Sequence, residues 1–320
     1  MAPRELPLAR PDDLIQSETF DMITVDQTGR RTLITGAGGG LGSHFSEAFA
    51  QAGAHVVLND RNASDNSSGV NDLATQLQNR RLVAFANLYA IDLPGAAQKI
   101  MDDTIDLIGG LDTLILNAGV TGVAARVEDM QEEDLADVMA INFTANVSLV
   151  QAALPHLRQS DAGRILFISS TASLYGMRGR AHYAASKAAI NALALTLASE
   201  QRRNGLGVNI LMPYAASAMT AGIDPGVLEK INPCKVSPAA LWLTSAQCTH
   251  SGEVWVAGAG VYRRATTLES RGLFIAEATP SQLGIAHDPI AEIARARSFN
   301  DGESAFQDLL SFGDSEGQGN

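Results

Sequence analysis

Three residues near the middle of the chain could perform acid–base chemistry together. Tyr183 and Lys187 stand four positions apart in Tyr-Ala-Ala-Ser-Lys, and Ser170 precedes the tyrosine by thirteen. On a helix, side chains at i and i+4 leave the same face, so the Lys187 ammonium comes beside the Tyr183 phenol. A free tyrosine titrates near ~10, and a neighbouring positive charge favours the phenolate; reaching neutrality takes roughly 4 kcal/mol. A phenol so poised can take the proton of an alcohol as hydride leaves the carbon, or return it to a carbonyl under reduction. Ser170, just past the apolar run Arg164–Ile168, could hydrogen-bond the same substrate oxygen. A Tyr-x-x-x-Lys alone is commonplace on surface helices. Its meaning depends on a hydride carrier nearby.

The run Thr35-Gly36-Ala37-Gly38-Gly39-Gly40-Leu41-Gly42 supplies a place for one. It follows the strand-like Arg31–Thr35 and opens a helical stretch from Leu41 to Ala52. Glycines permit the tight turn and a close approach, and the exposed N–H groups at the helix start attract a pyrophosphate. Gly36, Gly38, Gly40, Leu41 and Gly42 are therefore candidate cofactor contacts. Asp60 ends the next strand, eighteen positions after Gly42. That is near the spacing of a carboxylate that binds the adenosine ribose hydroxyls and repels a 2′-phosphate. Arg61 pulls the other way, since it could pair with that phosphate. The balance favours NAD over NADP, with a solvated turn carboxylate as the bland alternative for Asp60.

Strand-like runs recur at His55–Asn59, Arg81–Ala86, Thr113–Leu116, Arg164–Ile168, Gly207–Leu211 and Glu253–Val256. Helical patterns separate them: Asp72–Gln78, Gly95–Ile108, Glu133–Gln159, Ala181–Arg203 and Ser237–Leu243. Seven strands alternating with helices predict a single α/β unit, a Rossmann-type doubly wound parallel sheet covered on both faces. Residues 1–29 read as an N-terminal extension and 30–265 as the Rossmann domain. Residues 266–320 read as a C-terminal extension with one helix, Pro289–Arg297, before a Gly/Ser/Asp-rich end expected to fray.

The formal charge of −12 argues against nucleic acid and anionic membrane surfaces as partners and leaves a small-molecule alcohol or ketone. Two cysteines, Cys234 and Cys248, without a C-x-x-C pair or histidines at ligand spacing, disfavour a disulfide framework and any metal site. The N-terminus lacks the apolar core of a signal peptide, no stretch suggests a membrane span, and the last residues form no peroxisomal address. The cytoplasm is the expected compartment.

With the Thr35–Gly42 run, Asn117-Ala118-Gly119, Asn142, Ser170, Tyr183 and Lys187 in place, the chain resembles a short-chain dehydrogenase/reductase over about residues 30–265. Leu58-Asn59-Asp60, Pro213 to Thr220, Leu241-Trp242-Leu243 and Val256 to Gly260 are similar to the (3R)-hydroxyacyl-CoA dehydrogenase units of type 2 peroxisomal multifunctional enzymes. The resemblance implies Tyr183 as general acid/base, Lys187 as modifier of its pKa and ligand of the nicotinamide ribose, and Ser170 as orienter of the carbonyl. Asn142 would hold a water of the proton relay; read from its position alone, it is equally a structural polar residue inside a helix. Asn117, Ala118 and Gly119 would wall the adenine side, with Asp92 near the adenine. Pro213 would line the cofactor site, and Ser217 or Thr220 would meet the carboxamide. A homodimer or homotetramer through Glu133–Gln159 and Ala181–Arg203 is also implied. Their apolar residues Val138, Met139, Leu149, Val150, Leu193, Leu195 and Leu197 suit burial against the sheet equally well.

Two departures stand out. Leu116 replaces a frequent first Asn, and Tyr214 follows Pro213 where Gly is usual. His182 and Tyr175 either contact substrate or merely pack. The resemblance suggests a 3-hydroxyacyl thioester as substrate, with Arg178 and Arg180 near Tyr183 to meet its charge. A steroid or other bulky alcohol is the second candidate, and a nucleotide-binding protein without turnover is a third reading.

Overall fold

A computed structural model describes residues 25–61, 69–216 and 224–317. Its frame is one eight-stranded sheet ordered β3-β2-β1-β4-β5-β6-β7-β8. The strands are Arg31–Thr35 (β1), His55–Asn59 (β2), Ala84–Asn87 (β3), Thr113–Leu116 (β4), Arg164–Ile168 (β5), Gly207–Tyr214 (β6), Val254–Gly258 (β7) and Val261–Ala265 (β8). The first seven run parallel, and β8 folds back antiparallel on β7. The expected seven strands become eight because Ala259 and Gly260, both at positive φ, make a tight turn that pairs an exposed last strand. That strand carries no apolar run to reveal it.

Successive strand residues point to opposite faces, and each face builds its own core. Leu33, Val57, Leu114, Ile165 and Ile210 enter one cluster; Ile34, Leu58, Ile115, Leu166 and Leu211 enter the other. The first is covered by helices Ala96–Ile108, Ala145–Leu157 and Ala181–Gln201, with Glu132–Met139 packed on Ala181–Gln201; the second by Gly40–Gln51, Gly69–Asn79 and Ser237–Leu243. In chain order, counting the short Ala172–Tyr175 (α6) and Pro225–Lys230 (α8), these are α1 (Gly40–Gln51), α2 (Gly69–Asn79), α3 (Ala96–Ile108), α4 (Glu132–Met139), α5 (Ala145–Leu157), α7 (Ala181–Gln201) and α9 (Ser237–Leu243).

The long helix expected at Glu133–Gln159 is interrupted by a π turn at Ala140–Thr144, which lies around Asn142. The composite run Glu132–Leu157 is long and apolar enough, by length and composition, to cross a bilayer. This corrects the expectation that no stretch would pass that test. Here it lies against the sheet, with Val138, Leu149, Val150 and Leu157 buried in the chain's own core. Leu197 is buried as well, whereas Leu195 stays 43% exposed.

Beyond β8, the helix expected at Pro289–Arg297 is absent. A short helix at His287–Ala291 (α11) follows Pro280–Ile285 (α10), and Glu292 leaves helical geometry at ψ 118°. The end expected to fray is instead a helix, Gly302–Gly317 (α12). Asp301 caps it by accepting the Ser304 N–H at 2.8 Å. Phe306, Leu309, Leu310 and Phe312 supply the apolar spacing that the Gly/Ser composition masks.

At the opposite edge of the strands from the glycine-rich loop, Asp112 clamps β1 to β4. It accepts from the Arg31 backbone N–H (2.9 Å), Nε and Nη2 (2.8 Å each), and from Ser160 Oγ (2.6 Å). Burial pushes its carboxyl upward, but the hydrogen bonds from Arg31 and Ser160 and the Arg31 charge outweigh this and hold it well below the usual carboxylate range. Its stabilising contribution is therefore full above about pH 4 and is lost only in stronger acid. Asp112→Ala should cost about 3 kcal/mol, near the low end for a broken buried pair because the Arg31 side chain is partly exposed. Urea unfolding at neutral pH reads this directly; an unchanged midpoint would refute the clamp.

Candidate active site

The strand order reverses between β1 and β4, where an open α/β sheet leaves a crevice beyond the carboxyl ends of its strands. A cleft of about 850 Å³ occupies that position. At one end the glycine-rich loop turns from β1 into α1. Gly36 adopts φ 64°, and a Cβ there would lie 2.8 Å from the Ala118 Cα; a Cβ on Gly42 would lie 1.9 Å from the Gly36 carbonyl oxygen. Larger residues would push the turn apart. Gly36, Gly39, Gly40 and Leu41 line the cleft, while Gly42 packs beneath them.

Gly38 has a different task from the one expected. Its N–H donates to Asp60 Oδ2 at 2.8 Å, which ties the carboxylate at the end of β2 to the glycine-rich loop. Asp60, Arg61, Asn59, Ile91 and Asp92 form this end of the wall. Asn117 staples the loop after β4 to the glycine turn, donating from Nδ2 to the carbonyls of Thr35 and Gly36 at 3.0 Å each. Thr35 Oγ1 accepts the N–H groups of Asn117 and Ala118 at 3.1 Å. The Thr35 hydroxyl escaped sequence reading; a buried threonine closing β1 was its only signal.

At the other end, the start of α7 brings Tyr183 and Lys187 to the cleft with Ser170. Tyr183 is 8% exposed and Lys187 4%. Lys187 Nζ donates to the Ile168 carbonyl at 2.9 Å and stands 5.9 Å from the centre of the Tyr183 ring. Burial lowers the lysine to about 8. Burial also raises the Tyr183 phenol, and a hydrogen bond with Ser170 opposes that rise without overcoming it. The acidified phenol expected from the Tyr–Lys spacing is thus not a property of the protein alone: the ammonium is directed at a carbonyl, and desolvation prevails.

Asn142 does not reach the cleft surface. Its side chain is fully buried, exchanges two 2.8 Å hydrogen bonds with the backbone of Val120, and donates to Ser186 Oγ at 2.9 Å. Its carbonyl accepts from Asn146. Its side chain holds the Gly119–Thr121 wall. His182 is buried too, behind Gly122 and Val138 and outside the cleft lining, so it is not a substrate contact here. Tyr175 and Arg180 do line the cleft, and Arg180 donates to the Gly122 carbonyl. Pro213 lines it as expected; Ser217 and Thr220 lie outside the described residues. Tyr214, Thr171, Met177 and Ile231 complete the mouth, and Thr171 Oγ1 donates to the Tyr214 hydroxyl at 2.9 Å.

The family model for short chain dehydrogenases matches residues 30–225, the stretch that carries both ends of this cleft. The chain belongs to that family. This dehydrogenase is 32% identical to the mouse peroxisomal multifunctional enzyme type 2 over 238 residues, 72% of this chain but only 32% of that protein. It therefore spans about a third of the mouse relative. Hydroxyacyl-CoA dehydrogenase ChsB1 of Mycobacterium tuberculosis is 31% identical over 77% of this chain and 81% of its own. Among solved structures, a short chain dehydrogenase from Mycobacterium avium superposes with a TM-score of 0.74 at 28% identity, covering 84% of this chain and 96% of the other. A 7α-hydroxysteroid dehydrogenase complexed with NADH and a Shigella flexneri short chain dehydrogenase complexed with NADP each give a TM-score of 0.67 at 28% identity. They cover 74% and 73% of this chain and 95% and 99% of their own. The dehydrogenase is an oxidoreductase, and these two structural neighbours are complexed one with NADH and the other with NADP.

Proposed function

We propose that this dehydrogenase interconverts a secondary alcohol and a ketone with NAD, and that its substrate is a 3-hydroxyacyl thioester. The observation that carries the reaction is the meeting, in one cleft, of a glycine-floored pocket bounded by Asp60 with the Ser170, Tyr183 and Lys187 side chains. The cradle fits a dinucleotide: a Cβ on Gly36 or Gly42 would push its turn apart. A nicotinamide dinucleotide held by Gly36, Gly40, Leu41 and Asp60 would supply the hydride acceptor or donor for the alcohol carbon. Tyr183 takes the alcohol proton or gives it to the carbonyl oxygen, and Ser170 holds that oxygen in line. Lys187 keeps a charge beside the phenol, and Asn142 braces the Gly119–Thr121 wall.

For the cofactor, Asp60 is the argument: its carboxylate is fixed on the glycine-rich loop, where a 2′-phosphate would meet negative charge. The thioester reading is supported by the names of the relatives and by Arg180 in the cleft wall. A rigid apolar alcohol such as a steroid is the second reading. It is favoured by Tyr175, Met177 and Tyr214 at the mouth, which are 80%, 54% and 51% exposed. A homodimer or homotetramer through Glu133–Gln159 (α4 and α5) and Ala181–Arg203 (α7) belongs to the same proposal.

One experiment separates these readings: NADH formation with a panel of 3-hydroxyacyl thioesters, steroid alcohols and simple secondary alcohols, each with NAD and NADP. The expected result is highest efficiency with a 3-hydroxyacyl thioester and NAD, and a shift of the NAD to NADP ratio toward NADP by roughly tenfold in Asp60→Ala. Preference of the wild type for NADP would overturn the role of Asp60. Dinucleotide binding without turnover of any alcohol would support a binding protein instead.

A further inference from the structure

Helix α7 carries more than the tyrosine and the lysine on its inward face. Continuing the stripe at i, i+4 and i+8 leads from Tyr183 and Lys187 to Asn191, which is 9% exposed among the apolar neighbours Ile190 and Ala194. Asn191 Nδ2 donates at 2.8 Å to Ser173 Oγ, and Ser173 Oγ donates in turn to the Ser170 carbonyl oxygen. The Ser173 N–H reaches the same carbonyl at 3.0 Å. The Oδ1 of Asn191 is buried without a partner among the described residues. An amide kept at this position at the expense of an unsatisfied oxygen has its purpose in the donor side.

We propose that Asn191 and Ser173 are positioning residues that fix Ser170 relative to Tyr183. The connection runs from the helix that bears the tyrosine, through two side chains, to the backbone of the serine. With that carbonyl held, the Ala172 N–H meets Ser170 Oγ at 3.2 Å and occupies one of its lone pairs. The Ser170 proton is thereby left to the Tyr183 oxygen and to a substrate oxygen. Two other ties already join α7 to this segment, Lys187 Nζ to the Ile168 carbonyl and Ser169 Oγ to the Lys187 carbonyl at 3.2 Å. Both lie before Ser170. Asn191 and Ser173 hold the chain on the far side of it, so the serine is braced from both directions. The charged groups lining this end of the cleft are Lys187 and Arg180, the latter at the N-cap of α7; neither hydrogen-bonds to Asn191 or Ser173.

The inference rests on the acid–base role of Tyr183, not on the identity of the substrate, and two readouts keep those apart. The first needs no substrate: alkaline titration of Tyr183 by ultraviolet difference spectroscopy, each variant read against the same variant carrying Tyr183→Phe. Loss of the Ser170 hydrogen bond removes an interaction that favours the phenolate. Ser170→Ala should therefore move the titration upward, and Ser173→Ala and Asn191→Ala should move it the same way by less. The second is turnover of whichever alcohol the wild type oxidises. Ser173→Ala and Asn191→Ala should lower kcat roughly tenfold with the KM for dinucleotide unchanged, and the double variant should lose no more than the worse single one. Ser173→Ala removes a single oxygen and guards against misfolding in the Asn191 variant. An unmoved Tyr183 titration in a folded Ser173→Ala protein would overturn the proposal, as would a rate loss without any change in the pH profile.

Discussion

Tyr183→Phe should lower the turnover of any accepted alcohol by about 10³-fold and leave dinucleotide affinity nearly unchanged. The ring of Tyr183 is packed into the wall and is 8% exposed, so phenylalanine fills the same space and the cleft keeps its shape. What disappears is the hydroxyl proposed to exchange a proton with the substrate oxygen while Ser170 holds it. Burial raises this phenol above its ordinary value, with Ser170 opposing. Oxidation in the wild type should therefore climb with pH toward the alkaline range, and the residual rate of Tyr183→Phe should lose that dependence. Stopped-flow NADH formation and fluorescence titration of the dinucleotide measure the two halves separately. Rates near wild type in a folded variant would remove Tyr183 from the mechanism, and a matching loss of dinucleotide affinity would make it a binding residue only.

The parts of this site that could be read in the sequence are those set by local spacing. The i, i+4 relation of Tyr183 and Lys187, the glycines between β1 and α1, and Asp60 at the end of β2 all lie where the periodicity puts them. The sheet followed because its strands are short, apolar and buried on both faces. What could not be read depends on contacts between distant segments. Asn191 acquires a purpose only when α7 packs on the Ser170 loop, and His182 leaves the list of substrate contacts because Gly122 and Val138 cover it. The bonds from the Asn142 side chain to the Val120 backbone likewise exist only once the chain is folded. The phenol was misjudged for the same reason: spacing reports that an ammonium is near, but only packing reports that both groups are out of water. At the C-terminal end, the capped helix Gly302–Gly317 was hidden by a Gly/Ser composition that favours turns, because Asp301 and the Phe306–Phe312 spacing count for more than the average composition.

Lys187→Met should stabilise the fold while removing activity, an opposition that follows from where the ammonium sits. Lys187 is 4% exposed, and its Nζ donates to the Ile168 carbonyl at 2.9 Å. Burial alone brings its titration down to about 8, so near neutral pH the protein carries the charged form at a cost of about 3 kcal/mol relative to the unfolded chain. Methionine follows the same path through the wall without that charge. It leaves the Ile168 carbonyl unpaired, which returns roughly 1–2 kcal/mol of the gain. The net expectation at neutral pH is about 1–2 kcal/mol, seen as a melting temperature higher by a few degrees. Because the lysine's folded value lies below its unfolded one, its penalty is full below pH 8. It is relieved as pH rises from there toward ~10.5, so the difference between variant and wild type should shrink across that window. Turnover should fall by at least ~10²-fold, since the phenolate loses its neighbouring charge, and the affinity for dinucleotide should fall with it, unlike in Tyr183→Phe. A variant that is less stable than the wild type at pH 7 would mean that the ammonium is a net structural tie between α7 and β5. In that case its burial would be explained by stability, and the case for a residue kept for chemistry against the interest of the fold would fail.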